Sequence, residues 1–502
     1  MSFEMRAGYR EWMGLAVLAL PCMVVSMDAT VLNLAIPELT ADLLPSGSEQ
    51  LWIVDSYAFL VAGLLMTMGM MGDRVGRRRM LLVGAAMFAA ASSLGAFATS
   101  PGQLIASRIV LGAAGAMLAP STLSLIRTMF ADPDQRRVAL GIWTGSFALG
   151  GLAGPLVGGL LLERFWWGSV FLVAVPVMLL LLGAGPFLLP EYRGAEARRV
   201  DITSAALSLA AVLAFVYGLK RIAENGLQPA YGAAVVLGVG AAVWFVRRQR
   251  RLTHPVVDLG LLRASSFSAP LLILGAIFFV LYGTQFITAQ YLQLVAGLTP
   301  LTAGLLTLPG TVAYLVGSLA APAVTRRLST AQGMVGSLLI AAGGFGLLTQ
   351  MGPDRLWVVV TGFVVLSIGL AGVYLISTDL TVSAAPSAQG GTTSALLETS
   401  ANLGGALGIA GLGSTTLLAY RHAMPGSNPY DLPPDVWEAA RRTIGGAAAA
   451  ADRAPDAAGR QLLSAAHQAF TRGYRLAELV GTTLLLLTAA AAALALRNRR
   501  TG

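Results

Sequence analysis

The sequence predicts an all-α polytopic membrane protein, and three observations carry that reading. The 502 residues are 56% apolar and only 12% charged, where a soluble globule has about 25% charged residues. Fourteen apolar runs, each near the length that crosses a bilayer, recur along the chain. Basic residues gather in alternate connections between those runs, as they do when they set topology. Mean hydropathy of +0.71 agrees.

The first six runs lie near 12–36, 51–71, 78–98, 103–127, 136–161 and 168–189. Eight more follow near 201–220, 229–246, 267–294, 301–324, 331–351, 355–379, 392–420 and 474–496. An even number puts both termini on one side. With that side cytoplasmic, inward segments hold 22 of the 34 Lys and Arg residues, and the short outward loops hold four. The orientation expected is therefore cytoplasmic termini in a bacterial cytoplasmic (inner) membrane. The net charge of +9 falls largely on these loops beside an anionic leaflet, so no nucleic-acid partner is expected. One cysteine, Cys22, and three histidines without ligand spacing exclude a disulfide framework and point to no metal and no cofactor. The first run lacks a small-residue cleavage site and reads as a span rather than a leader.

The stretch Gly69-Met-Met-Gly-Asp73-Arg74-Val-Gly76-Arg77-Arg78-Arg79 joins spans 2 and 3. Gly76 permits a tight turn, and the arginines hold the turn in the cytoplasm. Span 1 carries Asp28 within Met27-Asp28-Ala-Thr30-Val-Leu-Asn33. An ionised carboxylate there costs about 2.5–3.5 kcal/mol or more, so an intramembrane acid is a functional residue by default. Proton and cation can compete for one carboxylate; the alternative is an Asp that caps a broken helix. Asp55, in Trp52-Ile-Val-Asp55-Ser-Tyr57, opens span 2, either as a vestibule group for cations or as a helix-start acid favoured by the dipole. Arg108, in Leu104-x-x-x-Arg108-x-x-x-Gly112, cannot be neutralised and needs a partner or a wet cavity. Gly150-x-x-x-Gly154-Pro155-x-x-Gly158-Gly159 puts a smooth stripe and a kink on span 5. Glu398 and Asn402 lie one turn apart on span 13. Trp143, Phe147, Phe279, Phe286, Tyr291 and Tyr374 are candidate cavity aromatics, suited to cation–π contact, although each alone also fits packing.

Together these motifs resemble the major facilitator superfamily, and within it the fourteen-helix drug:proton antiporter branch that holds the quaternary-ammonium efflux pumps. The resemblance covers spans 1 to 6, 9 and 13. It implies two six-helix halves, 1–199 and 251–502, with an inserted helix pair at 200–250. Gly317-x-x-x-Ala321 with Arg326-Arg327 matches a degenerate second copy of the 69–79 loop, and His254-Pro-Val-Val-Asp258 matches the approach to span 9. By the same resemblance Asp28, Asp55, Arg108 and Glu398 couple protons to cations. The 69–79 loop switches conformation, and the span 5 stripe is the antiporter motif. Asn402 stands where several such pumps have a second acid, which puts dication transport in doubt. The outward loop 421–473 is expected to fold as a hairpin of about 435–449 and 456–471.

The function implied is proton-driven efflux of lipophilic cations by a monomer in a lipid bilayer, with no enzymatic activity. Two alternatives stand beside it. One is an exporter of an endogenous antibiotic that confers self-resistance. The other is a membrane sensor or scaffold without transport.

Overall fold

This computed structural model describes residues 7–193, 201–225, 228–252, 259–325, 328–352, 355–384, 390–426, 428 and 433–497. Among them all regular structure is helical. Two motifs of the sequence reading, Arg326-Arg327 and His254–Asp258, lie outside the described residues.

The first group of helices is α1 (Tyr9–Leu43), α2 (Gly47–Val75), α3 (Arg77–Ala96), α4 (Pro101–Met129), α5 (Pro133–Arg164), α6 (Ser169–Leu172) and α7 (Ala174–Leu188). A hairpin follows, α8 (Ile202–Asn225) and α9 (Pro229–Gln249), and then the short α10 (Leu259–Arg263). The second group is α11 (Ser265–Gln290), α12 (Pro300–Thr325), α13 (Thr330–Leu348), α14 (Trp357–Ala384) and α15 (Gly390–Ala423). It ends with α16 (Pro434–Arg442), α17 (Ile444–Ala451) and α18 (Asp456–Arg497). Starts are set by local chemistry. Ser46 caps α2 and Ser329 caps α13, each in a capping box with the residue three on.

Twelve helices are, among the described residues, long and apolar enough to cross a bilayer, where the sequence reading has fourteen runs. The run at 51–71 forms α2, 29 residues with polar side chains at both ends. The run at 201–220 forms α8, whose apolar core is only Ala206–Gly218.

The hairpin expected within 421–473 takes another form. Its first arm breaks at Thr443, whose extended backbone and side chain cap a new helix at Gly446. Its second arm is no separate helix. From Asp456, just past Pro455, the chain runs unbroken through 42 residues of α18.

Within the first group α1 packs on α5 and α7, α2 on α4, and α3 on α4 and α7. Within the second, α11 packs on α15, α13 and α12 on α14, and α18 on α13 and α15. Two seams join the groups, α5 to α12 and α2 to α15. The α8–α9 hairpin lies over the second seam: Phe59 of α2, Val216 of α8, and Ala406 and Ala410 of α15 share one buried cluster.

One end of the bundle is stitched shut between the groups. Gln50 Nε2 donates to Gln290 Oε1 at 2.9 Å, and Gln293 Nε2 donates to the Leu34 carbonyl at 3.0 Å. At the same end Gly445 of α17 rests on Thr40 of α1, and the Tyr420 hydroxyl donates to the Ala440 carbonyl at 2.8 Å.

Candidate transport site

Arg108 organises the first group. It is 2% exposed and donates through Nη1 to Asp28 Oδ2 at 2.6 Å and through Nε to the Ile53 carbonyl at 3.1 Å. Its guanidinium lies 4.7 Å from the Tyr57 ring centroid and 6.0 Å from that of Phe171. The partner that an intramembrane arginine requires is thus the span 1 carboxylate itself, across 80 residues of sequence. Asp55 is fully buried near the head of α2 rather than exposed in a vestibule.

The α5 stripe sits beside this pair. A Cβ on Gly150 would collide with the Met23 carbonyl, and one on Gly154 would collide with Thr30 Oγ1. Gly158 abuts Val31. These three press on α1 on either side of Asp28. Gly159 instead meets the backbone of Leu301, and Pro155 meets Gly304 of α12. One motif therefore carries two contacts: three glycines seat α1, and the remaining pair forms a seam between the groups.

The turn after α2 is built as its glycine suggests. Gly76 has φ +118°, a region that L residues rarely adopt. The Arg77 amide donates to the Tyr192 carbonyl at 2.8 Å, and the Arg78 amide donates to Glu191 Oε1 at 3.2 Å. Glu191 also lies 3.6 Å from Arg78 Nε and 3.8 Å from Arg79 Nε. Arg77 is buried and Arg74 exposed, while Gly69 faces Pro120 of α4. Asp73 falls within α2, but its side chain is outside the described residues.

Glu398 on α15 is exposed to a space that protein surrounds, and Asn402 Nδ2 donates to its backbone carbonyl at 2.9 Å and to Oε1 at 3.4 Å. Its charge reaches Cys22 of α1, Tyr282 of α11 and Tyr374 of α14. Phe278 lies 5.6 Å from Tyr282 and 6.3 Å from Tyr374, ring to ring. Tyr282 is in turn within electrostatic reach of Tyr57, the ring under Arg108.

The candidate aromatics divide. Trp143 and Phe147 meet edge to face at 5.0 Å, with Trp143 Nε1 donating to Thr122 Oγ1 at 3.1 Å. Tyr374 is 37% exposed. The others lie deeper. Phe279 lies on Gly408 and Gly411, Phe286 is buried against Gly413, and Tyr291 is fully buried beside Tyr474.

Sequence reasoning missed Glu191, Phe278, Tyr282 and Glu478. The proximity of Glu191 to the arginine-rich turn needs the packing of α3 on α7. Tyr282 and Phe278 share a helix face one turn apart, a signal the sequence does contain. Glu478, fully buried on α18, is hidden when the last span is taken to begin at 474.

Residues 18–409 match the Major Facilitator Superfamily model. The chain is 43% identical to the multidrug efflux pump LfrA of Mycolicibacterium smegmatis, over 98% of each protein. It is 32% identical to the methyl viologen resistance protein SmvA of Salmonella typhimurium, over 95% of this chain and 97% of that one. It is also 32% identical to the tetracenomycin C resistance and export protein of Streptomyces glaucescens, over 96% and 91%. In fold it is similar to a bacterial homologue of the human lysosomal transporter Spinster, with TM-score 0.64 at 19% identity over 97% of each chain. The chain belongs to the Major Facilitator Superfamily of transporters, among relatives that are multidrug efflux pumps and antibiotic exporters.

Proposed function

We propose that the protein exports lipophilic cations, quaternary ammonium compounds and dyes among them, in exchange for protons by alternating access. The observation that carries the reading is the unequal state of its carboxylates. Asp28 is locked to Arg108 at 2.6 Å, whereas Glu398 makes no ion pair among the described residues and lies within electrostatic reach of Tyr282 and Tyr374. A flat cation finds at Glu398 an opposite charge and aromatic faces together. A proton on the same carboxylate cancels that attraction and releases the drug. The Asp28–Arg108 pair supplies a second element that proton uptake would break, since Asp28 neutralised by a proton no longer holds the guanidinium.

The arginine census supports fourteen spans with both termini cytoplasmic in the inner membrane. The stitched Gln50 end is then the outer one, and the conformation is closed towards the outside. Expelling a cation against an inside-negative potential costs about 2.3 kcal/mol per charge per 100 mV, which inward protons supply. The relative associated with methyl viologen resistance, an aromatic dication, supports cationic cargo. The tetracenomycin C exporter supports the second reading, export of an aromatic product of the cell itself.

A growth-inhibition series in a drug-sensitive host tests this with mono- and dicationic compounds and neutral aromatic antibiotics. Wild-type protein should protect against the cations. Glu398→Gln, matched for membrane abundance, should lose protection against dications more than monocations. Protection against neutral antibiotics alone, unaffected by Glu398→Gln, would favour the second reading and sink the first.

A further inference from the structure

Glu478 is fully buried on α18, in the interior of the second group. Its Oε2 accepts from Thr284 Oγ1 of α11 at 3.1 Å, and its Oε1 has no hydrogen-bond partner among the described residues. One turn towards the Gln50 end, Tyr474 and Thr288 hydroxyls lie 3.0 Å apart. Beyond them the Tyr474 ring meets the ring of Tyr291 at 5.3 Å. Tyr291 begins a π-helical turn, Tyr291–Val295, where α11 loses its regular bonding pattern. The Tyr474 and Thr288 hydroxyls therefore stand between Glu478 and the end of α11 that bears Gln290.

Among the described residues no cation balances this acid. On its own helix, Arg475 turns away and donates to the Met351 carbonyl at 3.1 Å. From α11 the titratable neighbour is Tyr282, further along the helix, and from the π turn it is Tyr291; α13 and α17 contribute no ionisable side chain. On α15 the contact of Gly473 with Thr416 fixes an antiparallel register, so Glu398 lies about 20 Å along the helix from the level of Glu478. At the other end of α15 the Tyr420 hydroxyl is engaged with the Ala440 carbonyl. An ionised carboxylate with neither cation nor full hydrogen bonding is strongly disfavoured in hydrocarbon surroundings. A purely anchoring role would not need an acid, since Gln offers the same acceptor to Thr284.

We propose that Glu478 is a proton-binding site of the transport cycle, a carboxyl group that takes a proton from the Gln50 end by way of Tyr474 and Thr288 and gives it up when α18 moves against α11. The proton resides on Oε1, and the anion left by its departure is held transiently by the Thr284 and Tyr474 hydroxyls. This inference rests on the proton-driven reading above and adds to it a site in the last helix, remote from Asp28 and Glu398.

The test is proton counting in proteoliposomes with a monocationic dye and imposed pH gradients. Wild-type protein should move dye in exchange for protons flowing down the imposed gradient. Glu478→Gln should move one proton fewer per dye and lose a step in the pH profile of transport, and Glu478→Asp should restore both. Wild-type protein indifferent to the gradient would defeat the proton-driven reading itself. Proton-driven wild type with an unchanged count and profile in Glu478→Gln would show instead that Glu478 merely pins α11 to α18. If the Gln variant fails to reach the membrane, infrared spectra of wild type and Glu478→Asp decide. A protonated-carboxyl band that shifts with the substitution and fades during turnover supports the site, and its absence overturns it.

Discussion

Arg108 Nη1 and Asp28 Oδ2 lie 2.6 Å apart, and Arg108 directs its Nε to the Ile53 carbonyl. Removing one partner of such a pair leaves an uncompensated buried charge, at a cost of about 3–5 kcal/mol. Asp28→Asn should therefore lower the melting temperature in detergent as well as abolish export. Arg108→Lys should also fail, because an ammonium cannot reach both acceptors in the fixed fork geometry of a guanidinium. Asp28→Asn combined with Arg108→Gln should cost clearly less than the sum of the two single changes, because neither charge is then left alone, read as a double-mutant cycle on stability.

Gly154 has no room for a methyl group. Gly154→Ala drives Cβ into Thr30 Oγ1, and overpacking of this kind costs about 1–3 kcal/mol. Removing the hydroxyl relieves the clash, because the next atoms are Thr30 Cβ at 3.2 Å and the Met27 carbonyl oxygen at 3.3 Å. Gly154→Ala should lose efflux at normal membrane abundance, and adding Thr30→Ala should restore part of it. Equal efflux in Gly154→Ala and wild type would show that the α1–α5 contact is loose.

Gly76 is constrained twice, by φ +118° and by Glu191, whose Oε1 would collide with an added Cβ. Glu191→Ala clears the space but leaves the backbone strain of about 1 kcal/mol or more. Gly76→Ala should thus slow dye efflux, and Glu191→Ala should not rescue it. Glu191→Ala alone should weaken the hold on Arg78 and Arg79, read as easier proteolysis at the turn.

The Gln50–Gln290 bond spans the two groups and is buried. Gln290→Ala leaves the Gln50 amide unsatisfied, at a cost of about 1–3 kcal/mol. Since the bond exists only while this end is shut, the variant should raise thiol labelling of a Leu51→Cys reporter. Labelling equal to that of the reporter alone would show that the stitch does not govern opening.

Asp201 stands at the base of the α8–α9 hairpin. Burial alone would raise its pKa, but hydrogen bonds from Arg248 at 2.9 Å and from Ser204 outweigh burial and hold it below the ordinary carboxylate value. A lowered folded value means that the contribution is complete above the unfolded value, about 3.9, and is lost as pH falls through the folded one. Thermal melts should show a drop between neutral pH and about pH 3, and Asp201→Asn should flatten it.

What the sequence disclosed, and what it hid, follows from the range of each interaction. Apolar runs, the glycine spacing on α5 and the turn at Gly76 are local patterns, so each was legible. Asp28 and Arg108 were legible singly, because ionisable groups stand out in an apolar run. Their union was not, since it depends on how α1 and α4 cross. The double contact of the α5 motif likewise appears only once α12 is in place. The depth of Phe286 and Tyr291 could not be read, because periodicity gives no direction to a helix that is apolar all round. Glu478 escaped for a different reason. A span beginning at 474 places it at the membrane edge, where an acid is ordinary, whereas α18 begins at Asp456 and carries it into the interior.

The α8–α9 hairpin makes the two flanks of the molecule unlike each other. Where α2 meets α15, α8 is wedged against both and α9 stands outside it, with Val236, Leu237 and Trp244 turned outward. Where α5 meets α12, no such outrigger stands among the described residues. A lipid beside the molecule therefore meets the outer face of α9 on one flank and the bare, closely packed α5–α12 contact on the other. Any change of angle between the groups would have to carry the hairpin along, so it rides as ballast beside one contact, while the other closes directly on Gly159, Leu301 and Gly304.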